Sequence, residues 1–142
     1  MRAHTKMSEL PILFETPAVD EYCAMRAVTG LSPKTAEAAS QGLPGTLFAV
    51  CIRDGDELIG MGRVIGDGGL NYEIVDMAVH PDYQRQGHGY RIMEALMSFV
   101  RESASESAYV CLLADDGAPA LYKKFGFEFT APRTVGMALI IK

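Results

Sequence analysis

The stretch "HPDYQRQGHGYRIMEALMSFV", residues 80–100, sets two glycines in a polar, basic turn directly before an apolar-striped segment. From Gly87 to about Ser103, Ile92, Met93, Leu96, Met97 and Val100 fall on one stripe at helical spacing, while Arg91, Glu94, Arg101 and Glu102 fall elsewhere. The spacing predicts an amphipathic helix laid on a core. Apolar runs flank it, "YEIVDMAVH" before and "YVCLLA" after. Strand, helix and strand together make a right-handed parallel crossover.

Working outward, "TLFAVCIR" and "ELIGMGRVIG" are strands joined by the turn "DGDE", and "GDGGLN" turns the chain into "YEIVDMAVH". Residues 46–80 therefore read as a three-stranded antiparallel meander. Upstream, "PILFET" is a short strand and Ala18–Val28 a helix. Ser32 caps and Pro33 opens a second helix through about Gln41, ended by Gly42. Downstream come a helix from about Ala118 to Phe125 and a last strand, "GMALII". Residues 1–10 are polar and read as a loose extension. The expectation is one α/β domain over residues 1–142, a meander followed by a parallel crossover in a single mixed sheet.

Composition narrows the function. Of 142 residues, 49% are hydrophobic and 22% charged, as in a globular protein with one core. No apolar run approaches a membrane span, and "MRAHTKMSEL" has no signal-peptide core, so a cytoplasmic protein without a membrane partner is expected. A net charge of −5 argues against nucleic-acid binding, which needs a basic face to displace phosphate counterions. An acidic surface suits cationic small molecules. Cys23, Cys51 and Cys111 are far apart and odd in number, which reads as buried structural thiols. His4, His80 and His88 have no paired ligand spacing, so no metal site is expected.

A loop between a parallel strand and its crossover helix lies at the carboxyl end of the strand, where open α/β sheets bind ligands. The helix start offers unpaired N–H groups and the positive end of its dipole to an anion. Gly87 and Gly89 leave the backbone uncovered there, and Arg85 and Arg91 can add charge. A P-loop would need Gly-Lys-Ser/Thr where Gly89-Tyr90-Arg91 stands, and a dinucleotide fingerprint would need a small residue where Ile92 stands. Both fail.

"QRQGHG", Gln84 to Gly89, resembles the Gln/Arg-x-x-Gly-x-Gly/Ala signature of the GNAT superfamily of acetyl-CoA-dependent N-acetyltransferases. "IVDMAVHPDYQRQGHG" is similar to that family's fourth strand and pyrophosphate loop, and "ALYKKFGFE" to its segment near the C-terminus. The resemblance covers residues 46–130 and implies a sheet whose fourth and fifth strands splay apart at a bulge. It further implies that the amides of Gln86, Gly87, His88, Gly89 and Tyr90 hold the CoA pyrophosphate, and that pantetheine lies along "DMAV", residues Asp76, Met77, Ala78 and Val79. The main chain of Met77 and Val79 would pair with it. An amide at Met77 or a neighbour would bond the thioester carbonyl.

By the same resemblance Tyr122 holds the position of the general acid in a direct transfer within a ternary complex. A tyrosine of pKa about 10 stays protonated at neutral pH and can pass its proton to a departing thiolate whose conjugate acid lies near about 8.5. Glu73 is the first candidate for the base that deprotonates the amine, with Asp76 or a water chain as alternatives. The chain departs from the pattern at Asp115, where many members carry an asparagine that contacts the cofactor. The acceptor site would lie around Tyr22 to Thr35 and residues 128–137, with Arg63 and Asp67 a further candidate pair. A primary amine of a small molecule is expected as acceptor, although nothing in the sequence distinguishes a polyamine, an aminoglycoside, an amino acid, an arylamine or a protein lysine. The resemblance commonly implies a homodimer, although no segment stands out as an interface. The alternative is an acyl-CoA-binding sensor that does not turn over.

Overall fold

The computed structural model describes residues 10–142; the expected loose extension lies, but for Leu10, outside the described residues. The elements in chain order are β1 (Ile12–Leu13), α1 (Val19–Thr29), α2 (Ala36–Gly42), β2 (Phe48–Asp54), β3 (Glu57–Gly66), β4 (Asn71–Val79), α3 (His88–Ser103), β5 (Tyr109–Leu112) and α4 (Pro119–Lys123). The strands form one sheet in the order β1-β2-β3-β4-β5. All neighbours are antiparallel except β4 and β5, which run parallel around α3 as the crossover requires.

Turn chemistry fixes the meander. Gly55 at φ 64 closes the two-residue link between Asp54 and Glu57. Between β3 and β4, Asp67 Oδ1 accepts hydrogen bonds from the amides of Gly69, Leu70 and Asn71 at 2.9, 2.8 and 3.0 Å. Those three amides pull the Asp67 carboxyl below its usual range. The expected Arg63–Asp67 pair does not form: Asp67 is spent on this turn, and Arg63 points to Asp76.

The sheet buries both faces. On one, the α3 stripe of Ile92, Met93, Leu96, Met97 and Val100 packs on Val50, Ile52, Ile59, Val64, Tyr72 and Ile74. Each such side chain contributes about 2 kcal/mol on leaving water. On the other, Tyr22 and Met25 of α1 and Ala39 of α2 cover Cys51, Leu58, Met61 and Ala78. Gly62 lies beneath α3, where an added Cβ would come within 2.7 Å of Ile92 Cγ2 and 2.9 Å of both Leu96 Cδ1 and Met77 Sδ.

Three sequence expectations are corrected. α2 starts three residues after Pro33, with Thr35 as its cap, its side chain accepting from the Ala38 amide at 3.0 Å. Ser32 instead bonds Arg26, its hydroxyl taking Nη2 at 2.8 Å. Of the three cysteines only Cys51 is fully buried, its thiol pushed up to about 12 chiefly by that burial. The largest correction is "GMALII", which pairs with no strand among the described residues: residues 135–142 are irregular and exposed. Apolar composition marks a segment able to pair, but only a partner edge makes it a strand.

Candidate active site

The site begins with a fault in β4. Val75 faces Arg63 and Ala78 faces Met61, so Asp76 and Met77 together oppose the single residue Gly62. Asp76 takes φ 59, the left-handed conformation tolerated by a short polar side chain. Tyr72 and Ile74 face α3 before this bulge, and Met77 and Val79 face it afterwards, a step of three where a regular strand steps by two. The change of phase turns Asp76 and Ala78 toward α1 and α2.

The parallel pairing ends at the same place. Ile74 opposite Leu112 is the last pair between β4 and β5, whereas β4 runs on to Val79. The two strands therefore part from Val75 onward, as the splayed arrangement requires. The His80 amide donates to the Ile59 carbonyl at 2.8 Å, so by alternation the Val79 peptide groups face away from β3, into the opening. The Val79 carbonyl accepts the Gln84 side-chain amide there at 2.9 Å.

At the mouth of the opening the chain makes a 3-10 turn, Pro81–Tyr83, in which His80 Nδ1 accepts from the Asp82 amide at 3.1 Å. Arg85 at φ 63 and Gly87 at φ 88 then swing it into α3. Gly87 caps α3 without a side-chain bond, and a Cβ added there would meet nothing within 4 Å, so its glycine serves the backbone conformation. The first intrahelical bond runs from the Arg91 amide to the Gly87 carbonyl at 3.1 Å. The amides of His88, Gly89 and Tyr90 precede it and lack an intrahelical acceptor. With roughly half a positive charge at this end of the dipole, they form an anion cradle facing the open strand end. These residues fit the pyrophosphate of CoA.

The charged side chains around the cradle part company. Arg85 is exposed and pairs with no described residue. Arg91, a candidate for added charge, turns away: its Nη2 donates to the Leu10 carbonyl at 2.8 Å, and its Nη1 lies 3.3 Å from His88 Nδ1. His88 contributes an amide to the cradle and its ring to the core, where only 1% of the residue is exposed and Nε2 has no partner among the described residues. Burial, and then the Arg91 charge, lower its pKa, so the ring is neutral at pH 7. The sequence held a signal for this burial, since His88, Ile92, Leu96 and Val100 recur at every fourth residue. Tyr90 is exposed and tilts against Phe125 at 5.0 Å, and Gln86 is exposed in the loop.

Tyr122 lies in α4, buried in the α3-side core with its ring edge toward Phe127. Burial and then the Asp115 charge raise its pKa, which keeps the phenol protonated. Asp115 itself is exposed, and its carbonyl accepts the Ala118 amide at 3.0 Å ahead of α4. Glu73 is half-buried between Ile65 and Cys111, on the sheet face opposite Tyr72 and Ile74. The structure therefore does not gather Glu73 and Tyr122 into one cluster.

Asp76 sits in a cluster that sequence reasoning missed. Its Oδ1 accepts Arg26 Nη1 at 2.5 Å and its Oδ2 accepts Arg63 Nε at 2.7 Å, with only 7% of the side chain exposed. Both guanidinium groups also lie over the Tyr22 ring, at 5.9 and 5.7 Å from its centroid. Burial first, and then Asp76, raise the Tyr22 pKa. A carboxylate with both oxygens held by guanidinium groups is poorly placed to take a proton from an incoming ammonium. Asp76 is better described as the brace of the bulge.

A family model described as "Acetyltransferase (GNAT) domain" matches residues 44–129. Among solved structures, a probable acetyltransferase of unknown function from methicillin-resistant Staphylococcus aureus is 48% identical, with a TM-score of 0.90 over 93% of this chain and 99% of that one. A GNAT-family acetyltransferase from Streptococcus pneumoniae is 25% identical, with a TM-score of 0.74 over 94% of this chain and 98% of that one. The uncharacterized N-acetyltransferase ycf52 of Pyropia yezoensis is 34% identical over 71 residues, 50% of this chain and 40% of that protein. The chain thus spans less than half the length of that curated relative.

Proposed function

The chain belongs to the GNAT family of acetyltransferases, and we propose that within it this protein passes the acetyl group of acetyl-CoA directly to a primary amine of a small molecule. One observation carries the reading: the glycine-capped start of α3 opens onto the unpaired half of β4, beyond the last β4–β5 pair at Ile74 and Leu112. In this assignment the amides of Gln86 to Tyr90 bind the pyrophosphate, with Arg85 adding charge from outside. The outward-facing peptide of Val79 and the bulged main chain at Met77 align the pantetheine, with Ala78 between them. The thioester supplies the activated acetyl group.

The protein's own chemistry is then charge stabilisation and proton movement. A bulged strand leaves a backbone amide out of its ladder, and the one at Asp76 or Met77 is positioned to stabilise charge developing on the thioester carbonyl. Tyr122 holds a proton on its phenol at neutral pH and gives it to the departing sulfur. The ammonium proton leaves through Glu73 or through water. One feature supports a small acceptor. A pocket of about 220 Å³ adjoins the bulge through Arg63 and is lined also by Tyr22, Lys34, Ala39 and Leu43. Its Lys34 and Arg63 favour a molecule that carries an anionic group beside its amine, against the cationic preference suggested by net charge alone.

Free-thiol release from acetyl-CoA, followed across a panel of primary amines with and without an adjacent carboxylate or phosphate, tests the reading. Acceleration by at least one amine is expected. Binding of CoA with no acceleration by any amine would establish the sensor alternative instead.

A further inference from the structure

At the β4 bulge two buried guanidinium groups share one carboxylate, which leaves the Arg26–Asp76–Arg63 cluster with an unmatched positive charge. Arg26 spends its donors within the protein. Its Nε donates to the Ser32 carbonyl at 2.7 Å, its Nη2 to the Ser32 hydroxyl at 2.8 Å and its Nη1 to Asp76. Arg63 keeps some free. Its Nε donates to Asp76 at 2.7 Å and its Nη1 to the Thr46 hydroxyl, but no described residue accepts from Nη2. Arg63 is only 9% exposed, and a guanidinium edge buried without an acceptor points to a ligand that supplies one.

The pocket of about 220 Å³ that Arg63 lines has the matching chemistry. With Nε and Nη1 committed to Asp76 and Thr46, Nη2 is the edge left to face it. The second cation on its wall is Lys34, exposed just ahead of the Thr35 cap of α2 and paired with no described carboxylate. No aspartate or glutamate lines the pocket, and the Tyr22 ring, 5.7 Å from the Arg63 guanidinium, holds that group in place. A guanidinium edge and an ammonium match the two oxygens of one carboxylate. A phosphate monoester would bring a further charge and a third oxygen, for which the lining offers no third cation. The volume lies below the roughly 300–1,000 Å³ of sites for drug-sized ligands, which fits a small acid.

We propose that the acceptor is an amino acid whose carboxylate is held between Arg63 Nη2 and Lys34, so that these two residues select the substrate. Acetyl transfer to a primary amine is the premise for the acceptor role, whereas the carboxylate site stands on the pocket alone. Gly62, next to Arg63, opposes Asp76 and Met77 in the bulge. The anchor therefore lies one strand spacing, about 5 Å, from the main chain assigned to the thioester. A short carbon chain between carboxylate and amine spans that step.

A panel of α- and ω-amino acids, each compared with its carboxamide, tests the selection, because the carboxamide keeps the amine and loses the charge. In thiol release at saturating acetyl-CoA the preferred acceptor should be a free acid, and amidation should raise its KM about 10–100-fold with little change in kcat. Lys34→Ala alters an exposed side chain and should raise KM for the acid about tenfold while leaving that for the carboxamide unchanged. Arg63→Lys keeps a charge beside Asp76 but lacks the second edge, and should act in the same way. Carboxamides accepted as well as acids, or variants that raise both KM values alike, overturn the proposal. Replacing acetyl-CoA with CoA reads binding without chemistry: acids, and not carboxamides, should shift the Ala38 and Ala39 amide signals, more weakly in Lys34→Ala. Acids that bind while no amine releases thiol would keep the carboxylate site and remove the acetyl transfer it serves. Acids that leave those signals in place while other amines release thiol would keep acetyl transfer and overturn the site.

Discussion

Burial raises the pKa of Tyr122 and lowers that of His88, and both residues can be tested one at a time. Tyr122→Phe removes one oxygen from a ring held by Phe127 and the α3-side core, so the fold should survive. If the phenol gives the proton, kcat at saturating acetyl-CoA should fall about 10²–10⁴-fold with little change in KM. Full turnover would remove Tyr122 from the chemistry. For His88, burial and then the Arg91 charge hold the folded pKa below the ordinary histidine value of 6.5. Above that value neither state binds the proton; below it the unfolded chain takes a proton that the folded ring resists. Stability should therefore decline as pH falls from 7.5 to 5.5. Urea midpoints should show that decline, and His88→Leu should flatten it. Residue-scale features were unevenly legible. The cradle glycines sit in a contiguous motif, whereas the turning of Arg91 toward Leu10 joins residues 81 positions apart, and no local pattern records it.

At the scale of elements, the β4 bulge shapes the site and the β3–β4 turn starts the strand that carries it. Asp76 pairs with two buried guanidinium groups that have no other carboxylate among the described residues. Asp76→Ala should cost about 3–5 kcal/mol in urea unfolding, because it strands those charges, and Asp76→Asn should cost less because its amide oxygen keeps one acceptor and the residue tolerates φ 59. Gly66 holds φ 146, and a Cβ there would fall 2.1 Å from the Asn71 carbonyl oxygen. Gly66→Ala should therefore destabilise by about 3 kcal/mol, strain and overlap together, and the same unfolding measurement checks it. α3 was legible because its stripe is a local period that any partner surface would satisfy. The brace at Asp76 was not, because Arg26 lies 50 positions away and meets it only once the sheet and α1 have packed.

For the whole molecule, alternating strand patterns and glycine turns made the meander readable, and the strand–helix–strand spacing made the parallel crossover readable. The family resemblance added the splay, which hydrophobic pattern alone does not encode: β4 keeps its apolar character through residues 75–79 although β5 has left it. The last segment shows the limit of such reading. Its composition announces a strand, yet among the described residues no strand edge pairs with it. The central claim is that the start of α3 holds the pyrophosphate of CoA, and amide chemical-shift titration tests it most directly. Addition of CoA should displace the amide signals of Gln86 to Tyr90, while pantetheine, which lacks the pyrophosphate, should leave them in place and move only those of β4. A titration in which CoA saturates the protein without moving the Gly87–Tyr90 amides would contradict the account.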